Sequence, residues 1–120
     1  MRRHNFKKLQ IWIEAINLID ENYKLTKTFP DYEKFGLQTQ MNRCSVSIAS
    51  NIAEGSSKQT DKHFVKYLDD SLGSAFEWET QLIVCHQQGF ISEENFKVLE
   101  DKVQALQSKI SNFIQSLKKS

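Results

Sequence analysis

Between Phe96 and Leu117 the apolar residues Phe96, Leu99, Val103, Leu106, Ile110, Phe113 and Leu117 recur at alternating intervals of three and four. That interval follows the turn of an α-helix and fits no strand, whose sides alternate every second residue. The seam is narrow and flanked by charge, so it predicts an amphipathic helix with one buried edge and a large solvent-facing surface. Ser92 followed by Glu93 and Glu94 marks its start. A hydroxyl there accepts from the free amides of the first turn, and carboxylates favour the positive helix end.

One proline and four glycines in 120 residues leave few breakpoints, and three more helices follow by the same counting. The first is predicted from about 6 to 26. Leu9, Trp12, Ile13, Ile16, Ile19 and Tyr23 form one stripe, and Ile11, Ala15, Leu18 and Leu25 form a second. Pro30 is expected to stop it and Gly36 to permit the bend before the next. The second runs from about 37 to 54, with Leu37, Met41, Cys44, Ile48 and Ile52 inward, small and polar residues opposite, and Gly55 as a left-handed cap. The third runs from a Thr60 cap to about 88, with Phe64, Leu68, Ala75, Leu82 and Cys85 on one stripe and Val65, Leu72, Phe76 and Ile83 on another. Gly89 ends it.

Residues 1–120 therefore form one all-α domain, too short for two. Short connections between long helices make an antiparallel up-down-up-down four-helix bundle. The first and third helices carry more apolar surface than a small monomer buries, which implies a homo-oligomer. A formal net charge of +1 gives no global attraction to nucleic acid or anionic membrane. No apolar run approaches the ~20 residues that span a bilayer, and the basic N-terminus leads into an amphipathic pattern; a cytoplasmic protein is expected. Cys44 and Cys85 sit among apolar helical positions and read as buried free thiols.

Two polar groupings are candidates for chemistry. In "SIASNIAEGSSKQT" Asn51 lies at the edge of a core stripe, and Glu54 lies at the helix end. Glu79 falls among Leu68, Leu72, Ala75 and Leu82, where a carboxylate needs partners because burying it alone costs several kcal/mol. By face, Arg43, Ser47 and Asn51 are the nearest. Two readings stand open: a structural polar network of Arg43, Ser47, Asn51, Glu54 and Glu79, or an enzyme's pocket around Asn51, Glu54 and Glu79. His4, His63 and His86 lack the Glu three residues upstream that bundle metal sites use, and no phosphate-binding loop or nucleophile elbow is present. No catalytic, metal or cofactor residue is assigned, and a non-enzymatic role is expected. The second grouping is basic. Arg2, Arg3, Lys7 and Lys8 open the chain, Lys118 and Lys119 close it, and Lys58 and Lys62 border the loop between the second and third helices. An up-down bundle brings all of them to one end. They read either as a nucleic-acid-binding rim repeated around an oligomer or as ordinary solvated termini.

The blocks "FKKLQIWIEAINL", "FPDYEKFGLQTQM", "SVSIASNIAEG" and "LGSAFEWETQLIV", in this order, resemble the bacterial four-helix-bundle 23S rRNA intervening-sequence proteins. They also resemble a related group, the accessory variability determinant of diversity-generating retroelements. The resemblance spans nearly the whole chain. It implies bundles assembled as homopentameric rings, a biochemical role not defined by the family's name, and, in the retroelement relatives, nucleic-acid and reverse-transcriptase binding through a basic surface. The chain departs from those relatives at Asn42-Arg43, where a basic pair is usual.

Overall fold

The computed structural model describes residues 4–119, and within them the chain is helical with no strand. A 3-10 turn over Phe6–Lys8 precedes α1 (Gln10–Thr26), and a second, Asp31–Glu33, lies in the connector to α2 (Leu37–Ser56). α3 (Asp61–Gln87) and α4 (Glu93–Lys118) complete an up-down-up-down order. The bundle measures 48 × 24 × 20 Å. Its pairings follow the sequence: α2 packs on α1 and α3, α3 packs on α4, and α1 meets α4 least extensively.

The termini of the helices follow from capping chemistry. Thr60 Oγ1 accepts from His63 N at 3.2 Å, and Ser92 Oγ accepts from Asn95 N at 3.1 Å, so the two expected caps form. At the end of α3, Gly89 adopts φ +76°, Phe90 N donates to Cys85 O at 2.9 Å and Gly89 N donates to His86 O at 3.1 Å. These two bonds satisfy carbonyls that the helix leaves open. α1 differs from expectation at its start and matches it at its end. Asn5 Oδ1 accepts from Lys7 N at 3.2 Å and holds a separate turn, so the α-helix starts at Gln10. It ends at Thr26, four residues before Pro30, with Thr28 Oγ1 donating to Leu25 O at 2.7 Å.

Gly55 is not the left-handed cap the sequence suggests. α2 runs through it to Ser56, and Gly55 is buried. A Cβ there would lie 2.7 Å from Tyr67 Cβ and 2.8 Å from Phe64 Cδ1. The glycine is required by the close approach of α3, not by its φ.

The core takes Met41, Ile48 and Ile52 from α2, Phe64, Leu68 and Leu82 from α3, and Val103, Leu106 and Ile110 from α4. On α1 the inward stripe is Ile11, Ala15 and Leu18. Trp12, Ile16 and Ile19 are half-buried, while Ile13 and Tyr23 are exposed. The excess apolar surface noted in α1 and α3 is thus partly on the outside, with Phe76 of α3 53% exposed.

Candidate functional site

The five polar residues grouped by sequence divide in the structure. Asn51 Nδ2 donates to Ser47 O at 2.9 Å and to Ser47 Oγ at 3.1 Å, one helical turn away. Ser47 Oγ lies 3.0 Å from Ser74 Oγ, which carries the network across to α3. Glu79 is elsewhere. Its carboxylate accepts from Gln104 Nε2 and Gln107 Nε2, each at 2.9 Å, and so joins α3 to α4. Five residues of helix separate Ser74 from Glu79, a rotation of about 140°, so the two cannot face the same neighbour. Arg43 and Glu54 are exposed on α2, and neither side chain has an ion-pair or hydrogen-bond partner among the described residues. Glu54 braces the turn only through its carbonyl, which accepts from Ser57 Oγ at 2.7 Å. The single five-residue network is therefore corrected to two separate pairings with Arg43 and Glu54 outside both. The pocket around Asn51, Glu54 and Glu79 is corrected with it, because Glu79 faces α4.

A different polar cluster is the deeply buried one. Asn22 and Trp78 are each 0% exposed and Thr26 is 1%. Trp78 Nε1 donates to Asn22 Oδ1 at 3.0 Å, while Asn22 Nδ2 and Thr26 Oγ1 both donate to Asn42 Oδ1 at 2.8 Å. Three helices are pinned at one level, and Trp78 Nε1, Asn22 Nδ2 and Thr26 Oγ1 each have an acceptor. The sequence carried a signal for it: Asn22 and Thr26 continue the stripe of Ile11, Ala15 and Leu18 at intervals of three and four. Asn42 is the acceptor at its centre.

The basic residues converge as the topology requires. His4 packs against Phe64 and Phe113, with ring centroids at 5.1 and 6.1 Å, which brings the N-terminal segment onto the start of α3 and the end of α4. Lys7, Lys8, Lys58, Lys62, Lys118 and Lys119 thus share one end of the bundle. Within 4–8, 54–62 and 115–119 the acids are Glu54 and Asp61. Lys58 Nζ sits 4.9 Å from the centre of the Tyr67 ring. Arg2 and Arg3 lie outside the described residues.

Cys44 and Cys85 are buried free thiols. Burial pushes the Cys44 thiol up to about 12, with the Glu77 carboxylate adding to it; burial likewise raises Cys85 to about 12, aided by Glu33. Neither has the thiolate character of a nucleophile near neutral pH. His86 bonds Glu93 across the α3–α4 turn and stacks on Phe96 with ring centroids 4.2 Å apart. Among the described residues no three His, Cys, Asp or Glu side chains could together hold a metal ion. Nor is any helix among them long and apolar enough to cross a membrane. Among the described residues the surface has several shallow hollows. One of about 420 Å³ lies along the α1–α4 seam beside Glu14 and Lys102, and one of about 580 Å³ lies on the outer face of α2 beside Tyr23.

The model of a family described as 23S rRNA-intervening sequence protein matches residues 7–112. A solved structure from Bacteroides thetaiotaomicron, described as a protein of unknown function from the S23 ribosomal protein family, superposes with a TM-score of 0.80. It is 21% identical, and the match covers 87% of this chain and 97% of that one. No curated protein matches the chain.

Proposed function

The chain belongs to the 23S rRNA-intervening sequence protein family, and on that premise we propose that it is a non-enzymatic helical scaffold. In this reading it assembles with copies of itself in the cytoplasm, as a five-membered ring, and holds RNA or an RNA–protein particle at its lysine-rich end. The observation that carries the reading is the segregation of charge. A chain of formal charge +1 gathers Lys7, Lys8, Lys58, Lys62, Lys118 and Lys119 at one end against Glu54 and Asp61. Symmetry would multiply that small excess into a ring of positive charge, which is the footprint a phosphate backbone requires. The resemblance to retroelement accessory proteins supports the same reading. So does the disposition of the polar groups inside the bundle: Asn22, Asn42, Thr26, Glu79 and Asn51 are engaged in bonds between or along helices, and both thiols are buried.

Fluorescence anisotropy with a structured and an unstructured RNA across a salt series tests it. Binding should weaken steeply with salt, because phosphate contacts release counterions. Changing Lys7, Lys8, Lys118 and Lys119 together to Gln should flatten that dependence while leaving the subunit assembly unchanged. Absence of binding to either RNA at low salt, with assembly confirmed by sedimentation, removes the nucleic-acid half of the proposal.

A further inference from the structure

On its outer side the groove between α3 and α4 carries an apolar seam that the bundle leaves uncovered. Leu72, Phe76 and Ile83 fall at intervals of four and seven, so they share one face of α3. Phe76 is 53% exposed and Ile83 is 38% exposed, while Leu72 is half-buried. Asp69 and Glu79 fill the remaining heptad places on that face, giving positions 69, 72, 76, 79 and 83. Across the groove, Ser108 and Ser111 of α4 are small, and a hollow of about 380 Å³ opens between them and Leu72 and Phe76. Gln104 and Gln107 are tied to the Glu79 carboxylate at 2.9 Å each, so the floor of the groove is already ordered. Charge along this face has one sign. From Tyr67 to Gln87 α3 has no Lys or Arg, and its acids are Asp69, Asp70, Glu77 and Glu79. The lysines of α4 at this level are engaged elsewhere: Lys109 meets Glu14 of α1 at 2.7 Å, Lys102 borders the α1–α4 hollow, and Lys97 lies 3.9 Å from Glu93. Asp69 is exposed and has no ion-pair partner among the described residues.

We propose that this groove docks an amphipathic α-helix of a second protein, one whose apolar ridge is flanked by lysine or arginine where it passes Asp69. A heptad seam between two antiparallel helices is the complement of a third helix laid along it, and exposed aromatic residues such as Phe76 are the usual anchors of such contacts. From Asp69 to Ile83 the seam runs about 21 Å, which asks for about four helical turns of the occupant. The acids select its charge. A basic flank meets Asp69 with attraction, whereas the phosphates of an RNA strand are repelled. A second copy of this chain is repelled in the same way. Its α1, with Ile13 and Tyr23 exposed, brings Glu14, Asp20 and Glu21 against Lys24 alone. Its most exposed aromatic residues, Tyr32 at 77% and Phe35 at 88%, stand beside Asp31 and Glu33. Neither RNA binding nor self-assembly is needed for this docking.

Two fluorescein-labelled synthetic peptides test it. Both span three heptads with leucine at a and d; one has lysine at e and g, the other glutamate. Like charges at e and g keep each free peptide from pairing with itself. In anisotropy titrations with the full chain, the lysine peptide should bind about tenfold tighter than the glutamate peptide and gain helical circular dichroism as it does. Phe76→Ser should weaken the lysine peptide by about tenfold or more, and Asp69→Lys should move the preference toward the glutamate peptide. Phe35→Ser, elsewhere on the surface, should change neither. Both Phe76 and Asp69 are exposed, so helix content and unfolding midpoint serve as controls that the fold is intact, and Asp69→Lys decides the matter alone if Phe76→Ser does not fold. Binding of neither peptide, or binding indifferent to Phe76→Ser and to Asp69→Lys, overturns the docking groove. Sedimentation of the same variants reports the rival occupant: a wild type that assembles and a Phe76→Ser chain that runs as the 14.0 kDa monomer put a second copy in the seam and overturn the second-protein assignment.

Discussion

Replacing Asn22 by Ala should destabilise the bundle more than its size suggests. Asn22 Oδ1 is the acceptor for Trp78 Nε1 at 3.0 Å, and both residues are 0% exposed, so water does not reach the stranded indole N–H. A buried donor left without a partner costs about 1–3 kcal/mol. The Asn42 oxygen loses one donor but keeps Thr26 at 2.8 Å, so it is not orphaned. Adding the lost Asn22–Asn42 bond and the small cavity brings the expected loss to about 2–4 kcal/mol. Urea unfolding followed by far-ultraviolet circular dichroism measures it, at one protein concentration because association adds a mass-action term. The control is the same substitution in a Trp78→Phe background. With no indole N–H to strand, Asn22→Ala should cost less there by about 1–3 kcal/mol. Equal costs in the two backgrounds would refute the view that the Trp78–Asn22 bond is what makes this position expensive.

Further outcomes concern two glycines and the two thiols. Gly55→Ala should destabilise by about 1–3 kcal/mol through overpacking against Phe64 and Tyr67, despite alanine's better helix propensity. Gly73→Ala on the open face of α3, where an added Cβ has nothing within 4 Å, should stabilise by about 0.5–1 kcal/mol, and paired unfolding curves compare the signs. For the thiols, the folded chain holds its protons while the unfolded chain begins to release them near its ordinary value of 9.0. Their contribution is therefore fully present below about pH 9 and falls as pH climbs toward 12. Unfolding midpoints at pH 8 and pH 10.5 should diverge more in wild type than in a Cys44→Ala/Cys85→Ala variant, and neither thiol should react with an aromatic disulfide reagent until the chain is unfolded.

The helices were legible because their signals are local. Periodicity marked the inward stripe of α2 and the Phe64, Leu68, Ala75, Leu82 and Cys85 stripe of α3, but Phe76 and Ile83 of the second α3 stripe are exposed and Trp78, in neither stripe, is fully buried; Thr60, Ser92 and Gly89 act through bonds within a few residues of themselves. Gly55 was misread because a glycine before a polar loop has two uses, a positive φ and close packing, and only the position of α3 decides between them. The polar site was less legible than the fold. Helical angle alone put Glu79 near Asn51, yet it does not say which neighbour each face of α3 meets, and α4 supplied the glutamines. Asn22 and Thr26 continue an apolar stripe of α1, but Trp78, the partner of Asn22, lies 56 residues further on and Asn42, the partner of Thr26, lies 16 further on. The exposure of Phe35 had no signature, since an aromatic residue beside a glycine reads equally well as core.

The order in which the helices pack also shapes how the chain finds its fold. α2 meets α3, and α3 meets α4, across connectors of only a few residues, so those pairings form with little loop-closure entropy. The α1–α4 seam, by contrast, joins partners as remote as Glu14 and Lys109, whose side chains meet at 2.7 Å. Closing a loop of that length in an open chain costs roughly 2–3 kcal/mol more than closing a five-residue turn. Once the intervening helices have docked in sequence, most of that separation is already spanned. Rapid folding is the consequence expected of such low contact order, and the least extensive seam, between α1 and α4, is where the native bundle opens most readily.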